Sequence, residues 1–166
     1  VQVEGVTVAA LVALNAVGDV VDPSTGQVVA GARGDDGRPL GITRRLLDGE
    51  VPFRPLPPMP PVGGATTLVV VATDARLTKA EAGRLATMAH DGLARSIDPV
   101  HTPHDGDTIF ALATGSHDGP PPPLAVLGVM AARATADAVM DAVRSATTLP
   151  GYPSCPAWAD GPQPPR

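Results

Sequence analysis

Eight residues, Thr66 to Thr73 (TTLVVVAT), constrain the fold most, because a β-branched run of this length suits a strand buried on both faces and little else. Thr78-Lys79-Ala80-Glu81 follows at once and reads as a capping box opening a helix. Leu85, Met88, Ala89 and Leu93 then recur at helical spacing and form one buried stripe, and the helix is expected to end before Pro99. After the polar loop HTPHDGD comes a second short apolar strand, TIFALATG, then the connector DGPPPP and a long helix from Leu124 to Ala146.

Upstream, Val6 to Asn15 is almost continuously apolar; GDV and DPSTGQ give turn signals before Val28 and Val29 resume a strand. This predicts two strands joined by a Pro/Gly turn. From Gly34 to Ala65 the chain reads as a connector with one short helix around Thr43 to Leu47. Pro52, Pro55, Pro57, Pro58, Pro60 and Pro61 forbid a helix or a central strand there. The tail after Pro150 is rich in proline and is expected to lack regular structure. No repeat is visible. The fold class is α/β, with strands layered against two helices.

With 43% apolar and 17% charged residues the chain is globular and long enough for one domain with a real core. Its four aromatics, Phe53, Phe110, Tyr152 and Trp158, give no stacking platform for single-stranded nucleic acid. A net charge of −5 argues against phosphate backbones as partners. Cys155 has no second cysteine to pair with, which points to a reducing, cytoplasmic setting. The run from Val6 lacks a basic region before it, and Arg133, Asp137, Asp141 and Arg144 interrupt the last helix, so neither a signal sequence nor a membrane span is read. Because the first residue is Val1, inside a strand, sequence upstream of it is expected.

Four groups could carry chemistry. Thr66 is either a strand opener or a nucleophile freed by cutting the bond after Ala65; the α-amine so released, with an ordinary pKa of about 7.7 to 8.0, would serve as base. Asp105-Gly106-Asp107 is either a solvated turn or a pair of carboxylates aimed at one neighbouring group. His101, His104 and Asp105 could hold a metal, although Pro103 forbids a helical pair and loop histidines are the better reading. Asn15 could point an amide at an oxyanion, or form a turn.

TTLVVVATDARLTKAEAGRLATMAHDGLARSI followed by HTPHDGDTIFALATG closely resembles the β-subunit of nylon-oligomer (6-aminohexanoate-oligomer) endohydrolases, within the L-aminopeptidase/D-esterase family of N-terminal-nucleophile-like enzymes. GVTVAALVALNAVGDVVDPSTGQVVAGAR resembles the end of their α-subunit, and the likeness runs from about Val3 to Tyr152. It implies that residues 1–65 close the α-subunit, that residues 66–150 form the β-subunit, and that residues 151–166 are a disordered tail. It further implies cleavage between Ala65 and Thr66, Thr66 as nucleophile, Asp105 and Asp107 as carboxylates that orient it, and Asn15 on the oxyanion side. A four-layer αββα sandwich, assembly as a homotetramer, and metal-free and cofactor-free hydrolysis of amide bonds in short peptides, amino-acid amides or aminohexanoate oligomers are implied with it.

Two departures stand out. Ala65 replaces the Asn or Gly more usual before the nucleophile, and the lysine and tyrosine that serve the family's site belong to an upstream half that this chain lacks; its one lysine, Lys79, lies beyond the cut. The rival expectations are an inactive relative or half-enzyme that needs an upstream partner chain, and a metal-dependent hydrolase built on His101, His104 and Asp105.

Overall fold

The computed structural model describes residues 1–50, 65–151 and 153–155. The proline connector from 51 to 64 and the tail from 156 onward, for which extended and irregular chain were expected, lie outside the described residues.

Two short sheets and two long helices make up the core. Strands β1 (Gln2–Val3), β2 (Val6–Ala13), β5 (Leu68–Thr73) and β7 (Thr108–Ala113) form one sheet in the order β1-β2-β5-β7. Glu4 and Gly5, both with positive φ, supply the two-residue turn between β1 and β2. β2 runs antiparallel to β5, and β5 runs parallel to β7. A parallel pair needs a crossover, which helix α2 (Lys79–Ser96) provides. The smaller sheet orders β4 (Val28–Ala30), β3 (Asp19–Val21) and β6 (Ile97–Asp98) side by side. Helix α1 (Ile42–Leu47) and helix α3 (Leu124–Ser145) complete the elements.

α2 begins where its capping box predicts: the Thr78 hydroxyl accepts the Glu81 N–H at 3.3 Å, and Glu81 accepts the Thr78 N–H at 2.8 Å. Leu85, Ala89 and Leu93 are fully buried along its inner face. α3 covers β2 while α2 covers β7, and the two helices lie against each other. Their closest approach is at Gly92, where any side chain would run into the Ala132 carbonyl and the Thr135 side chain. Val6, Val8, Val69 and Val71 from the sheet meet Leu85, Leu93, Leu127 and Val139 from the helices to form the core.

Three expectations need correction. Val28 to Ala30 does not pair with the first long strand; it joins β3, a strand in the segment read as a turn. The central strand starts at Leu68 rather than Thr66, because Ala65 is held by an isolated bridge to Asp105 and the ladder resumes three residues later. Nor is that strand buried on both faces. Leu68, Val70 and Ala72 alternate with the buried Val69, Val71 and Thr73, and one helical layer covers only one face. On the other face Leu11, Val70 and Phe110 share a cross-strand row, flanked by Leu68 and Leu112, all exposed. The described residues thus form a mixed α/β arrangement of one helical layer on one face of the main sheet; the four-layer αββα sandwich expected above is not seen among them. No described helix is long and apolar enough to cross a membrane.

The junction of the small sheet with α1 holds a buried acid. Asp19 is 2% exposed; its Oδ2 accepts the Ile42 N–H at 2.6 Å, and its Oδ1 has no partner among the described residues. Gly31 backs onto that carboxyl, where a side chain would collide with it. Burial raises the Asp19 pKa to about 6, with Asp98 contributing and the Ile42 hydrogen bond opposing. The folded chain therefore holds this proton more tightly than the unfolded one. The stabilisation is complete below the unfolded value of 3.8 and is lost as pH rises through about 6. Thermal unfolding followed from about pH 4 to about pH 7 should show a loss of up to about 3 kcal/mol from this group. Asp19→Asn, which cannot ionise, should flatten that part of the profile.

Candidate functional site

The pairing of β5 with β7 extends backward beyond the strands. Leu68 lies opposite Thr108, so in the same register Thr67 faces Asp107, Thr66 faces Gly106, and Ala65 faces Asp105 with which it bridges. The Gly106 N–H donates to the Ala65 carbonyl at 2.9 Å, and the Thr108 N–H donates to the Thr67 carbonyl at 3.0 Å. The Ala65–Thr66 peptide is thereby held against the Asp-Gly-Asp segment before β7 begins.

Gly106 has a steric reason for lacking a side chain. A Cβ there would stand 2.7 Å from Thr66 Oγ1, so the threonine hydroxyl occupies the space that any other residue would need. The scissile-type carbonyl and the hydroxyl that could attack it thus both face one glycine. A carbonyl polarised by an N–H, followed directly by a residue whose hydroxyl lies beside that donor, is suited to acyl transfer from nitrogen to oxygen.

The two carboxylates have different partners. Asp107 is buried, its side chain 3% exposed, and its Oδ1 accepts the Thr67 N–H at 2.8 Å. That bond fixes the backbone one residue past Thr66. Asp105 instead fastens its own loop: Oδ2 accepts from the Thr102 N–H at 2.8 Å and from the Thr102 hydroxyl at 2.7 Å. It acts on the Ala65–Thr66 bond through the backbone bridge rather than through its carboxylate.

Asn15 is exposed just past the end of β2. Ala13 pairs with Leu68, so continuing the antiparallel register by two residues brings Asn15 opposite Thr66. Alternation gives both the parity of Leu11, Leu68 and Val70, which places them at the end of the uncovered face. Thr67 and Asp107 have the opposite parity and lie on the helix side, where Thr67 is fully buried.

Of the three groups in the metal alternative, His101 lies 3.2 Å from Asp107 through Nδ1, and Asp105 is taken by Thr102. His104 Nα–H donates to the Thr102 hydroxyl at 3.3 Å. Among the described residues no group of three or more His, Cys, Asp or Glu side chains converges as metal ligands. Sequence reading missed His90, whose ring on α2 meets that of His101 edge-on with centroids 4.9 Å apart. Burial, with His101 adding to it, lowers the His90 pKa. It also assigned no role to Gly106, although a glycine between two acids, opposite a threonine in the register, was the available signal.

Residues 1–155 match Peptidase family S58. An uncharacterized aminopeptidase of Mycobacterium tuberculosis is 38% identical over 181 aligned residues, covering 90% of this chain and 47% of that protein. A 6-aminohexanoate-oligomer endohydrolase of Kocuria sp. is 32% identical over 151 residues, covering 84% of this chain and 41% of that one. A crystal structure of a Pyrococcus horikoshii protein superposes with a TM-score of 0.55 at 24% identity, covering 90% of this chain and 38% of the other, and so shares the fold. The chain spans less than half the length of the relatives it matches. The matched span includes the Ala65–Thr66 junction and the Asp-Gly-Asp segment clamped to it: the chain belongs to Peptidase family S58.

Proposed function

We propose that the protein is a self-processing amide hydrolase in which Thr66 cleaves the bond to Ala65 and then serves as an N-terminal nucleophile. The observation that supports this most is the shared glycine, with the Gly106 N–H on the Ala65 carbonyl and Thr66 Oγ1 filling the space beside it. In the first stage Thr66 Oγ1 attacks the Ala65 carbonyl carbon; the C–N bond breaks as the C–O bond forms, the hydroxyl proton passes to the departing amine, and water hydrolyses the resulting ester. Gly106 is the donor placed to stabilise the oxyanion. In the second stage the freed α-amine takes the Thr66 hydroxyl proton as Oγ1 attacks the carbonyl carbon of a substrate amide, with Asn15 facing the oxyanion; the substrate C–N bond breaks, the departing amine takes that proton, and water hydrolyses the acyl ester to restore the Thr66 hydroxyl.

Two relatives' names, aminopeptidase and 6-aminohexanoate-oligomer endohydrolase, favour short peptides, amino-acid amides or aminohexanoate oligomers as substrates. The uncovered apolar row of Leu11, Val70 and Phe110 favours a second sheet packing there, giving the αββα sandwich and a pocket wall above Thr66. Homotetrameric assembly is part of the same proposal. The reading of this chain as a half that needs an upstream partner is favoured by that same exposed face, and it differs only in when catalysis begins.

Intact-mass measurement should find two pieces, residues 1–65 and 66–166, and sequencing of the 66–166 piece should start Thr-Thr-Leu-Val. Thr66→Ala should leave one chain and no turnover, whereas Thr66→Ser should keep part of both; cleavage at this bond in the alanine variant ends the proposal.

Asp107→Ala strips a buried partner from the Thr67 N–H and from His101. It should cost about 1 to 3 kcal/mol in thermal or urea unfolding and slow processing, while Asp107→Asn, which keeps an acceptor oxygen, should cost less.

A further inference from the structure

The geometry points to His101 as a positioning residue for Thr66, acting through Asp107; this assignment rests on the reading of Thr66 as nucleophile. The buried Asp107 carboxylate has two oxygens with different duties. Oδ1 holds the Thr67 N–H at 2.8 Å, and Oδ2 stands 3.2 Å from His101 Nδ1. A carboxylate shut away from water needs both oxygens engaged, and one fastened at a single oxygen can rotate about χ2. His101 supplies the second fastening. On the helix side of the sheet no lysine or arginine is paired with Asp107 in any described contact, so His101 is the side chain that meets Oδ2.

His101 is itself held in place. Its backbone has φ of 55°, a left-handed conformation in which histidine, like asparagine and aspartate, is enriched among residues other than glycine, and its ring packs edge-on against His90 of α2. From this exposed turn the ring reaches both Asp107 and His90 while its side chain stays 39% exposed. The series His90, His101, Asp107, Thr67 N–H thus runs from a half-buried position in the middle of α2 to the peptide adjoining Thr66. Its effect is to hold Thr66 in register against Gly106, since a displacement of about 1 Å at a reacting centre can cost about a hundredfold in rate.

The left-handed backbone makes the test selective. His101→Gly removes the ring and relaxes the backbone, and His101→Asn tolerates the same φ while placing an amide nitrogen near the position of Nδ1. Two quantities are read in the full-length protein: the rate at which intact chain is converted to the piece beginning at Thr66, and hydrogen exchange of the Thr67 amide, followed by NMR with labelled threonine. His101→Gly should slow processing by roughly 10- to 100-fold and speed Thr67 exchange by about tenfold, and His101→Asn should recover most of both. Unchanged rates in His101→Gly, or an asparagine variant no better than the glycine one, would overturn the assignment. A wild-type chain that stays whole would instead sink the nucleophile reading, and the Thr67 exchange rates of the two variants would still decide whether His101 holds Asp107.

Discussion

The register of β5 on β7 is the constraint on which the rest depends. Because side chains alternate with a period of two, one pairing, Leu68 with Thr108, settles which residues meet for several positions on either side. It brings Ala65 to Asp105, Thr66 to Gly106 and Thr67 to Asp107. A slip of one residue would put the Thr66 hydroxyl against a carboxylate-bearing position and send Thr67 out of the core. The helix side enforces the register, since Val69, Val71 and Ile109 would all have to leave the packed layer for the slip to occur.

That same alternation separates the site into two sides. Thr66 and Asn15 share the parity of the exposed apolar row, while Thr67, Asp107 and the histidines lie with α2. The support for Thr66 is therefore part of the folded core, and its own side chain belongs to the bare face. This explains how a chain less than half the length of its relatives can hold the Ala65–Thr66 junction in order while exposing five large apolar side chains on its sheet.

Local signals in the sequence were legible where local physics decides. The Thr78–Glu81 box placed the start of α2 to the residue, and the stripe of Leu85, Ala89 and Leu93 identified its buried face. The strand-helix-strand-helix order and the end of α3 near Ser145 were readable for the same reason. What escaped was set by distant partners. β3 is three residues long and exists because β4 and β6 flank it; nothing in Asp19-Val20-Val21 announces this. The exposure of Leu68 and Val70 could not be read from an apolar run, because such a run looks alike whether one face or both will be covered. At the site, residue types and spacing singled out Thr66, Asp105, Asp107 and Asn15, with family resemblance giving them roles. The differing partners of the two aspartates and the His101 contact depend on how a loop folds back, and spacing carries no information about that.

Placing the fastenings of the nucleophile beneath the sheet and the approach to it above has a consequence for how such a protein can change. Residues that shape the approach are free to vary in size and polarity without loosening the clamp, because the two sets share no side chain, only the thickness of one strand. With Thr66 acting as proposed, new selectivity can be acquired on one surface while the groups that anchor it stay fixed from the other.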